Sequence, residues 1–273
     1  MSSIKILGET YTINGRSAEV SGLIPDMSAD IYYEVVRLID GKFLFLDDHL
    51  ERLEHSLAGA GILFPGKDEI KDNLRLLLKS NSLSQGNIRI CLQSSIQNGV
   101  HLLCYFIPYF YPSDSMYLEG VDLHTYPHIR PTPGIKKWDN AFRTSVNSYI
   151  RDKGIYEAVL LNSVNQITEG SRSNIFFIDT EEQLITPPEQ LILPGITRKY
   201  VLAIAKSHNI TVREELVSLD SLNTYVSAFI SGTSPKVLPV KRLDNYRFEV
   251  ANTLLQTLRD QFELLIKDRL STV

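Results

Sequence analysis

The chain has 273 residues, a formal net charge of −4 and a hydrophobic fraction of 43%. This length allows two modest domains or one large one, and the composition is that of a globular protein. The acidic balance provides no basic field for nucleic acid or an anionic membrane surface. No apolar run approaches a membrane span, and the first residues, MSSIKILGET, hold no apolar signal core. We therefore expect a cytoplasmic protein without nucleic-acid or membrane partners.

The first half of the sequence alternates strand-like and helical periods. An Asn-Gly hairpin comes first, and two strands joined by Asp-Gly follow it. A leucine stripe in DDHLERLEHSLAGAGI then predicts a helix capped by an aspartate, and a second helix is expected at about Lys67 to Lys79. The stretches GNIRICLQ and GVHLLCYFI predict a strand pair, and LEGVDLHTY predicts one more strand. This order favours an α+β domain with an antiparallel sheet over residues 1–125.

The second half begins after a linker. PHIRPTPGI holds three prolines and one glycine in nine residues, so we place a linker at 126–135 and a larger domain at 136–273. An apolar residue at every fourth position from Trp138 to Ile150 predicts a helix that ends at Gly154. The strands YEAVLL, NIFFID and YVSAFISGTSP and the helices LPGITRKYVLAIAKSHNI and FEVANTLLQTLRDQFELLIK complete the chain.

The cysteines and histidines predict no special chemistry. Cys91 and Cys104 fall in strand-like text, which indicates two small buried side chains rather than a disulfide. His124 and His128 have a ligand-like spacing, but no cysteine or carboxylate cluster accompanies them. We therefore expect no metal site.

Three short stretches could each bind a phosphate group. In LPGITR, Ile196 and Thr197 open a helix whose first amides are unpaired. In SGTSP, small residues offer hydroxyls and amides, and in HLERLEHS, Arg52 lies beside the leucine stripe. Each stretch has an ordinary alternative. Thr197 could simply cap its helix, SGTSP could be a plain turn, and Arg52 could be solvated and paired with a glutamate of its own helix. All three suit one small phosphorylated ligand, and no dinucleotide fingerprint, Walker loop or nucleophile elbow competes with it.

Two further stretches suggest what the ligand is. GIKKWDN places Lys136 and Lys137 at the start of a predicted helix, and a lysine of lowered pKa forms Schiff bases with aldehydes. The alternative is a pair of exposed lysines. In ITEGSRSNIF, Glu169 ends a strand before a glycine, so its carboxylate can point into a cleft and keep a pyridine nitrogen protonated. A phosphate site, a Schiff-base lysine and a pyridinium partner together describe a site for pyridoxal 5'-phosphate (PLP).

These motifs, in this order, resemble those of the fold-type IV PLP enzymes, also called class IV aminotransferases. That family includes branched-chain aminotransferases, D-amino acid aminotransferases and aminodeoxychorismate lyases. The resemblance covers nearly the whole chain, through YYEVVRLIDGKFLFLDDHLERL, YEAVLLN, ITEGSRSNIFFI, LPGITRKYV and FISGTSPKVLPV. It implies a two-domain α+β fold, with a small N-terminal α/β domain and a larger C-terminal domain built on an antiparallel, barrel-like sheet.

The resemblance also implies roles for single residues. Lys136 is similar in position to the Schiff-base lysine, because its distance to the Tyr-Glu-Ala strand needs no gap, whereas Lys137 would need a shift of one residue. Glu169 corresponds to the partner of the ring nitrogen. The rest of the cofactor-binding set is Arg52, Ser173, Asn174, Ile196, Thr197, Gly232 and Thr233. The substrate side is formed by Tyr33, Arg89 and Ser234.

Strand alternation bears on Arg89. In NIRIC, it places Ile88 and Ile90 on one face of the strand and Arg89 on the other. Arg89 would then either hold a substrate carboxylate or lie on the exposed surface of a sheet.

The implied function is transfer of an amino group between an amino acid, with a branched-chain type favoured, and a 2-oxo acid, in a homodimer. Two alternatives stay open: an aminodeoxychorismate lyase that releases pyruvate, and a non-catalytic PLP-binding protein. Retention of Lys136 and Glu169 argues against the second. Three departures concern the substrate: Ala141 stands where branched-chain enzymes usually carry a tyrosine, DIYYE lacks the usual glycine, and QSSIQNGVHL lacks the arginine-and-histidine clamp of D-amino acid enzymes.

Overall fold

The computed structural model describes residues 5–22, 29–95 and 99–273. The first four residues of the MSSIKILGET stretch, and residues 96–98 within QSSIQNGVHL, lie outside the described residues. Expectations about a leader and about the substrate clamp in those stretches stay predictions there.

In the described part of the chain, seventeen strands alternate with six α-helices and three short 3-10 turns. The strands are β1 (Leu7–Ile13), β2 (Arg16–Glu19), β3 (Asp30–Ile39), β4 (Lys42–Leu44), β5 (Gly86–Ser95), β6 (Gly99–Ile107), β7 (Val121–Pro127), β8 (Glu157–Leu161), β9 (Gln166–Gly170), β10 (Asn174–Asp179), β11 (Leu184–Thr186), β12 (Val212–Glu214), β13 (Val217–Ser218), β14 (Tyr225–Gly232), β15 (Lys236–Leu243), β16 (Tyr246–Arg247) and β17 (Leu270–Ser271). The helices are α1 (Leu46–Ala58), α2 (Lys67–Ser80), α3 (Asp114–Glu119), α4 (Asn140–Lys153), α5 (Ile196–Ser207) and α6 (Thr253–Asp268). The 3-10 turns are Val20–Gly22, Glu189–Leu191 and Leu219–Thr224.

The chain divides into two compact units. Unit 1 consists of Met1–Phe110, Ile135–Trp138 and Ile266–Val273, and unit 2 consists of Tyr111–Gly134 and Asp139–Leu265. Residues 111–125 thus fall in unit 2 and the Lys136 segment falls in unit 1, whereas the sequence analysis placed each in the other half. The domain boundaries at 125 and 136 stay a prediction.

Unit 1 is built on one antiparallel sheet with the strand order β17-β4-β3-β5-β6-β1-β2. The leucines of α1 and the apolar side chains of α2 cover one face, where they pack on Ile88 and Ile90 of β5. The opposite face holds a smaller cluster of aromatic residues that includes Tyr33, Tyr105 and Trp138. The predicted antiparallel sheet is confirmed.

The start of α1 differs from the prediction. No aspartate caps this helix, because the residue before it is Phe45, in the left-handed conformation with φ 55°. The Phe45 N–H donates to the Arg269 carbonyl at 3.2 Å, next to the strand β17. Asp47 and Asp48 instead lie in the first turn, where a negative charge interacts favourably with the helix dipole.

Unit 2 is built on a ten-stranded sheet, which runs β12-β11-β10-β14-β15-β7-β8-β9-β13 with β16 paired to β15. Most neighbours are antiparallel, but β7 runs parallel to both β15 and β8, and β11 runs parallel to β12. The parallel pairs come from β7, which follows a connection from unit 1 rather than a hairpin, and from β12, which follows β11 after α5. The apolar core of unit 2 is centred on β8, β10, β14 and β15.

The helix predicted from Trp138 begins two residues later. Asp139 is the cap of α4, since its carboxylate accepts from the Phe142 N–H at 2.9 Å. Lys136 and Lys137 therefore precede the helix, so their predicted position at its start was wrong. The predicted end is confirmed, because Gly154 follows α4 with φ 63°.

Other sequence expectations concern cysteines, metals and membranes. Cys91 and Cys104 are both free and buried, which confirms their interpretation as small core side chains. Within the described ranges, no group of three or more His, Cys, Asp or Glu side chains is arranged to hold a metal ion. None of the helices in the part of the chain that the structure describes has the length and apolar character needed to cross a membrane.

Candidate active site

Unit 1 buries a carboxylate between β3 and α1. Glu34 is 0% exposed and accepts hydrogen bonds from Nε and Nη2 of Arg52, each at 2.7 Å, and from Nδ1 of His49 at 2.8 Å. Both donors lie on one flank of α1, because residues three apart are neighbours on a helix. Arg52 therefore pairs with a buried strand residue, and the alternative of a solvated pair within its own helix is wrong.

The charges of this cluster follow from its burial. Burial alone would raise the pKa of Glu34, but the positive charges of Arg52 and Lys136 and the hydrogen bond from His49 hold that pKa well below its usual range. For His49, burial outweighs the bond to Glu34 and lowers the pKa. Near neutral pH, Glu34 is therefore ionised and His49 is an uncharged donor.

Lys136 belongs to the same cluster. Its N–H donates to Ser56 Oγ on α1 at 3.2 Å, and its carbonyl accepts from the Tyr33 N–H on β3 at 3.1 Å. These two bonds hold the Lys136 backbone between the two elements that supply Glu34 and Arg52. The Lys136 Nζ atom is 5.2 Å from the centroid of the Tyr33 ring.

Lys137 is directed elsewhere. Its Nζ atom forms an ion pair with Asp30 Oδ1 at 2.8 Å, and its side chain is 45% exposed. The hydrogen bond to Asp30 raises the pKa of Lys137. A protonated surface amine is a poor nucleophile, so this geometry supports Lys136 as the Schiff-base lysine.

Arg89 lies on the face of the sheet opposite α1, as alternation predicted. Its guanidinium carbon is 4.5 Å from the ring centroid of Trp138, 5.0 Å from that of Tyr33 and 5.9 Å from that of Tyr105. The Nε atom is buried and has no hydrogen-bond partner among the described residues. Arg89 is thus half-buried among aromatic rings rather than on an exposed sheet surface.

In unit 2, Glu169 is buried at the end of β9. Its Oε1 accepts from Arg130 Nε at 2.6 Å, and its Oε2 accepts from the Leu193 N–H at 3.2 Å. Only 3% of the Glu169 surface is exposed. Charge-assisted hydrogen bonds to both oxygens fix the orientation of the carboxylate.

The small polar residues after Glu169 are organised by a second buried carboxylate. Glu157, on β8, accepts from Ser171 Oγ at 3.1 Å, from Ser173 Oγ at 2.9 Å and from the Arg172 N–H. The Ser173 hydroxyl, assigned to the cofactor, therefore holds this loop in place. These hydrogen bonds to Glu157 explain why ITEGSRSNIF carries small polar groups between two buried strands.

Replacing Glu157 by glutamine should destabilise unit 2. The amide keeps the size but presents N–H groups to donors, and each unsatisfied buried donor costs about 1–3 kcal/mol. We expect the thermal unfolding midpoint, followed by circular dichroism, to fall by several degrees. The control is Glu119→Gln, which makes the same change at an exposed residue. Equal midpoints for the two variants would contradict this role for Glu157.

The start of α5 is free of side-chain capping. Gly195 is its N-cap residue and no side chain of the described ranges caps the first amides, so the alternative of a Thr197 cap is wrong. A Cβ atom on Gly195 would overlap the Asn174 side chain, whose Nδ2 donates to the Leu193 carbonyl at 2.9 Å. The helix start, Asn174 and the Glu169 contact at Leu193 therefore form one continuous cluster.

The turn between β14 and β15 lies against this cluster. Ser231 pairs with Asn174 across the sheet, and its hydroxyl is buried without a hydrogen-bond partner in the part of the chain that the structure describes. A Cβ atom on Gly232 would come within 3.5 Å of the Arg172 carbonyl. Gly232, Thr233 and Ser234 are all half-buried in this turn. An uncapped helix start beside an unpaired hydroxyl suits an anionic group such as a phosphate.

The structure separates the predicted residues into two sets. In unit 1 it places Arg52 near Lys136 and, on the opposite face of the sheet, brings Tyr33 and Arg89 together. In unit 2 it brings together Glu169, Ser173, Asn174, Ile196, Thr197, Gly232, Thr233 and Ser234.

Three charged residues were missed by the sequence analysis. Glu34 carried a readable signal, since alternation places it on the apolar face of β3 between Tyr32 and Val36, where a charge needs a partner. Glu157 carried a similar signal at the start of the buried strand β8. Arg130 carried none, because it lies in a proline-rich stretch that indicated only a linker.

The sequence matches a known family over most of its length. The match is to amino-transferase class IV and covers residues 32–243. The chain belongs to the class IV aminotransferase family. A D-alanine aminotransferase of Listeria monocytogenes serotype 4b (strain F2365) is 29% identical over 260 residues, which are 88% of each protein. A probable branched-chain-amino-acid aminotransferase of Rickettsia typhi is 30% identical over 224 residues, 78% of this chain and 77% of the relative.

Solved structures share the fold of this class IV aminotransferase. The branched-chain amino acid aminotransferase of Escherichia coli aligns with a TM-score of 0.84 at 22% identity, over 97% of this chain and 99% of that one. The branched-chain enzyme of T.th., solved with pyridoxamine 5'-phosphate, also gives 0.84, at 19% identity over 98% of this chain and 99% of that one. The predicted two-domain α+β fold of type IV is confirmed.

Family membership decides the general chemistry. Class IV aminotransferases transfer amino groups with PLP as their cofactor, so both predictions from the motifs are confirmed at this level. The relatives described above are named aminotransferases, and the lyase alternative is not favoured.

Proposed function

We propose that this aminotransferase moves the amino group of a branched-chain amino acid to a 2-oxo acid, with Lys136 as its Schiff-base lysine. The observation that carries the proposal is the anchoring of Lys136 between Ser56 and Tyr33, beside a buried ion pair. Lys137 is instead paired with Asp30 at the surface.

The chain's own groups have separate tasks. PLP, when bound, supplies an aldehyde for the amino group and a pyridine ring that withdraws electrons from the substrate α-carbon. The Lys136 Nζ atom is the base that takes the proton from that carbon and the acid that returns one. Glu169 holds a proton at the ring nitrogen, and its bonds to Arg130 and the Leu193 N–H support this role by fixing its orientation.

The phosphate group would be held by one arginine and by backbone. Arg52 provides the positive charge, and the first amides of α5, at Ile196 and Thr197, provide donors that no side chain of the described residues caps. In unit 2, Gly232 at the end of β14 and Thr233 in the turn after it are proposed for the same group. Ser173 and Asn174 border it, and the unpaired Ser231 hydroxyl supports the fit because a buried donor of this kind needs a partner.

Arg89, Tyr33 and Ser234 are proposed to contact the substrate. The unpaired Nε atom of Arg89 is a donor for a carboxylate. The rings of Tyr33, Tyr105 and Trp138 around it form an apolar surface that suits an aliphatic side chain, which supports a branched-chain donor. D-alanine is a second candidate, because relatives named D-alanine aminotransferases match 88% of the chain.

We further propose a cytoplasmic homodimer with no nucleic-acid or membrane partner. The formal net charge of −4 supports the absence of an electrostatic attraction to nucleic acid or anionic lipid.

The test uses the purified full chain with PLP. We expect a yellow protein whose visible band is lost on borohydride reduction, with the label mapped to Lys136 by peptide mass spectrometry. The fluorescence of Trp138, the one tryptophan in the sequence, should change on addition of PLP. L-leucine and L-valine should then bleach the visible band faster than D-alanine, and a 2-oxo acid should restore it.

Each contradictory outcome has its own meaning. A label on Lys137 would overturn the lysine assignment. Faster bleaching by D-alanine would replace the branched-chain donor with the second candidate. Release of pyruvate from aminodeoxychorismate without any 2-oxo acid would revive the lyase alternative.

A further inference from the structure

Glu34 is a buried charge for which the fold alone gives no sufficient reason. A buried ion pair is rarely more stable than an apolar pair of the same volume, because desolvation offsets much of the Coulomb attraction. Glu34 nevertheless uses both carboxylate oxygens, on Arg52 and His49, at 0% exposure. Since burying this carboxylate is energetically unfavourable, its presence suggests that it serves the chemistry of the neighbouring residues.

The first neighbour is Arg52. Glu34 accepts from Nε and Nη2 together, which fixes the plane and the rotation of the guanidinium group. A freely rotating arginine could not present a constant edge to a phosphate. The bidentate pair therefore orients the residue that we assign to the cofactor phosphate.

The second neighbour is Lys136. Its backbone is bonded to the Tyr33 N–H, one residue before Glu34, and to Ser56, one helical turn beyond Arg52. The Lys136 nitrogen lies 5.2 Å from the centroid of the Tyr33 ring and interacts electrostatically with Glu34 of β3 and His49 of α1, both of which also interact with Arg52. His49 is uncharged, so the ionised groups of this cluster besides Lys136 include the Glu34 carboxylate and the Arg52 guanidinium.

Without Glu34, the cluster would lose the carboxylate that interacts with both Arg52 and Lys136. Nearby cations disfavour each other's charged forms, and a carboxylate beside them favours those forms. We propose that Glu34 is a positioning residue that orients Arg52 and raises the proton affinity of the Lys136 nitrogen. This inference rests on the proposed function, in which Lys136 holds the cofactor.

The principal test is a pH titration of the visible absorbance of the PLP-loaded protein. In Glu34→Gln, the midpoint assigned to the Lys136 nitrogen should fall by roughly one pH unit or more, because the removed negative charge favoured its protonated form. Glu34→Asp keeps the charge and should restore a midpoint near that of the natural protein. The matched control is Glu51→Gln, the same change on the exposed side of α1, where Glu51 pairs with Lys67.

The outcomes separate this inference from the proposed function. A natural protein that never turns yellow with PLP would remove the proposed function. A yellow natural protein with the label on Lys136, but with the same midpoint in Glu34→Gln, would overturn the role of Glu34 alone. A shift of equal size in Glu51→Gln would also overturn it, since the effect would then not be local.

A second measurement needs no cofactor and covers the case in which Glu34→Gln does not fold. The pH dependence of acetic anhydride labelling, resolved by peptide mass spectrometry, reports the pKa of Lys136, with Lys137 as the internal reference. In Arg52→Gln, Glu34 faces Lys136 without its counter-ion, so the Lys136 midpoint should rise while that of Lys137 stays constant. An unchanged Lys136 midpoint would contradict the inference.

Discussion

Lys136→Ala should leave a folded protein that no longer turns yellow with PLP and whose amino transfer falls by at least about 10⁴-fold, since both the Schiff base and the proton transfer depend on its Nζ atom. The fold should persist because the hydrogen bonds of Lys136 to Ser56 and Tyr33 use its backbone atoms. The measurement is the initial rate of 2-oxo acid formation together with the visible spectrum.

The neighbouring lysine provides the control. Lys137→Ala removes an equal charge one residue away, but its amine is occupied by Asp30 at the surface. Activity and colour within about twofold of the natural protein are expected for this variant, in line with the small contribution of exposed ion pairs. If Lys137→Ala were colourless and Lys136→Ala were yellow, the assignment would have to be exchanged.

Glu169→Gln should reduce turnover on the order of 10²–10³-fold, the usual effect of losing one electrostatic contact to a developing charge. Glutamine retains the shape of the side chain and one acceptor, but it cannot hold a proton at the ring nitrogen. The stability cost is smaller, about 1–3 kcal/mol, from the weakened contact with Arg130.

Two readouts distinguish these effects. Turnover should fall with little change in the affinity for PLP, which Trp138 fluorescence can follow, and thermal unfolding should shift by only a few degrees. The control is Glu181→Gln, the same substitution at an exposed position of unit 2. Unchanged turnover in Glu169→Gln would contradict the assignment of this carboxylate to the cofactor ring.

The two replacements probe different units of the chain. Lys136 and its partners Glu34 and Arg52 lie in unit 1, whereas Glu169 and Arg130 lie in unit 2. Each unit supplies a buried carboxylate paired with an arginine. In unit 1 the carboxylate orients Arg52, which we propose for the cofactor phosphate, and in unit 2 Arg130 orients the carboxylate that we propose for the ring nitrogen.

Local pattern predicted much of the secondary structure. The leucine stripe of α1, the end of α4 at Gly154 and the opposite faces of Arg89 and Ile88 all follow from helical and strand periods. The cap of α1 could not be predicted, because Phe45 is held in its left-handed conformation by a bond to Arg269 at the far end of the chain. The residues next to Phe45 in the sequence contain no information about a contact with the other end of the chain.

By itself, the sequence determined the family and the general chemistry of this protein, because the order of its short motifs along the chain is a property of local segments. Only the tertiary structure decided which partners those segments have. Arg52 could have met a glutamate of its own helix, but the packing of α1 on β3 gave it Glu34. Arg130 lay in a stretch that indicated a linker, yet the fold placed it on Glu169. The physical reason is the same in both cases: a buried charge is paired by whatever long-range packing brings to it, and that packing is a property of the whole fold.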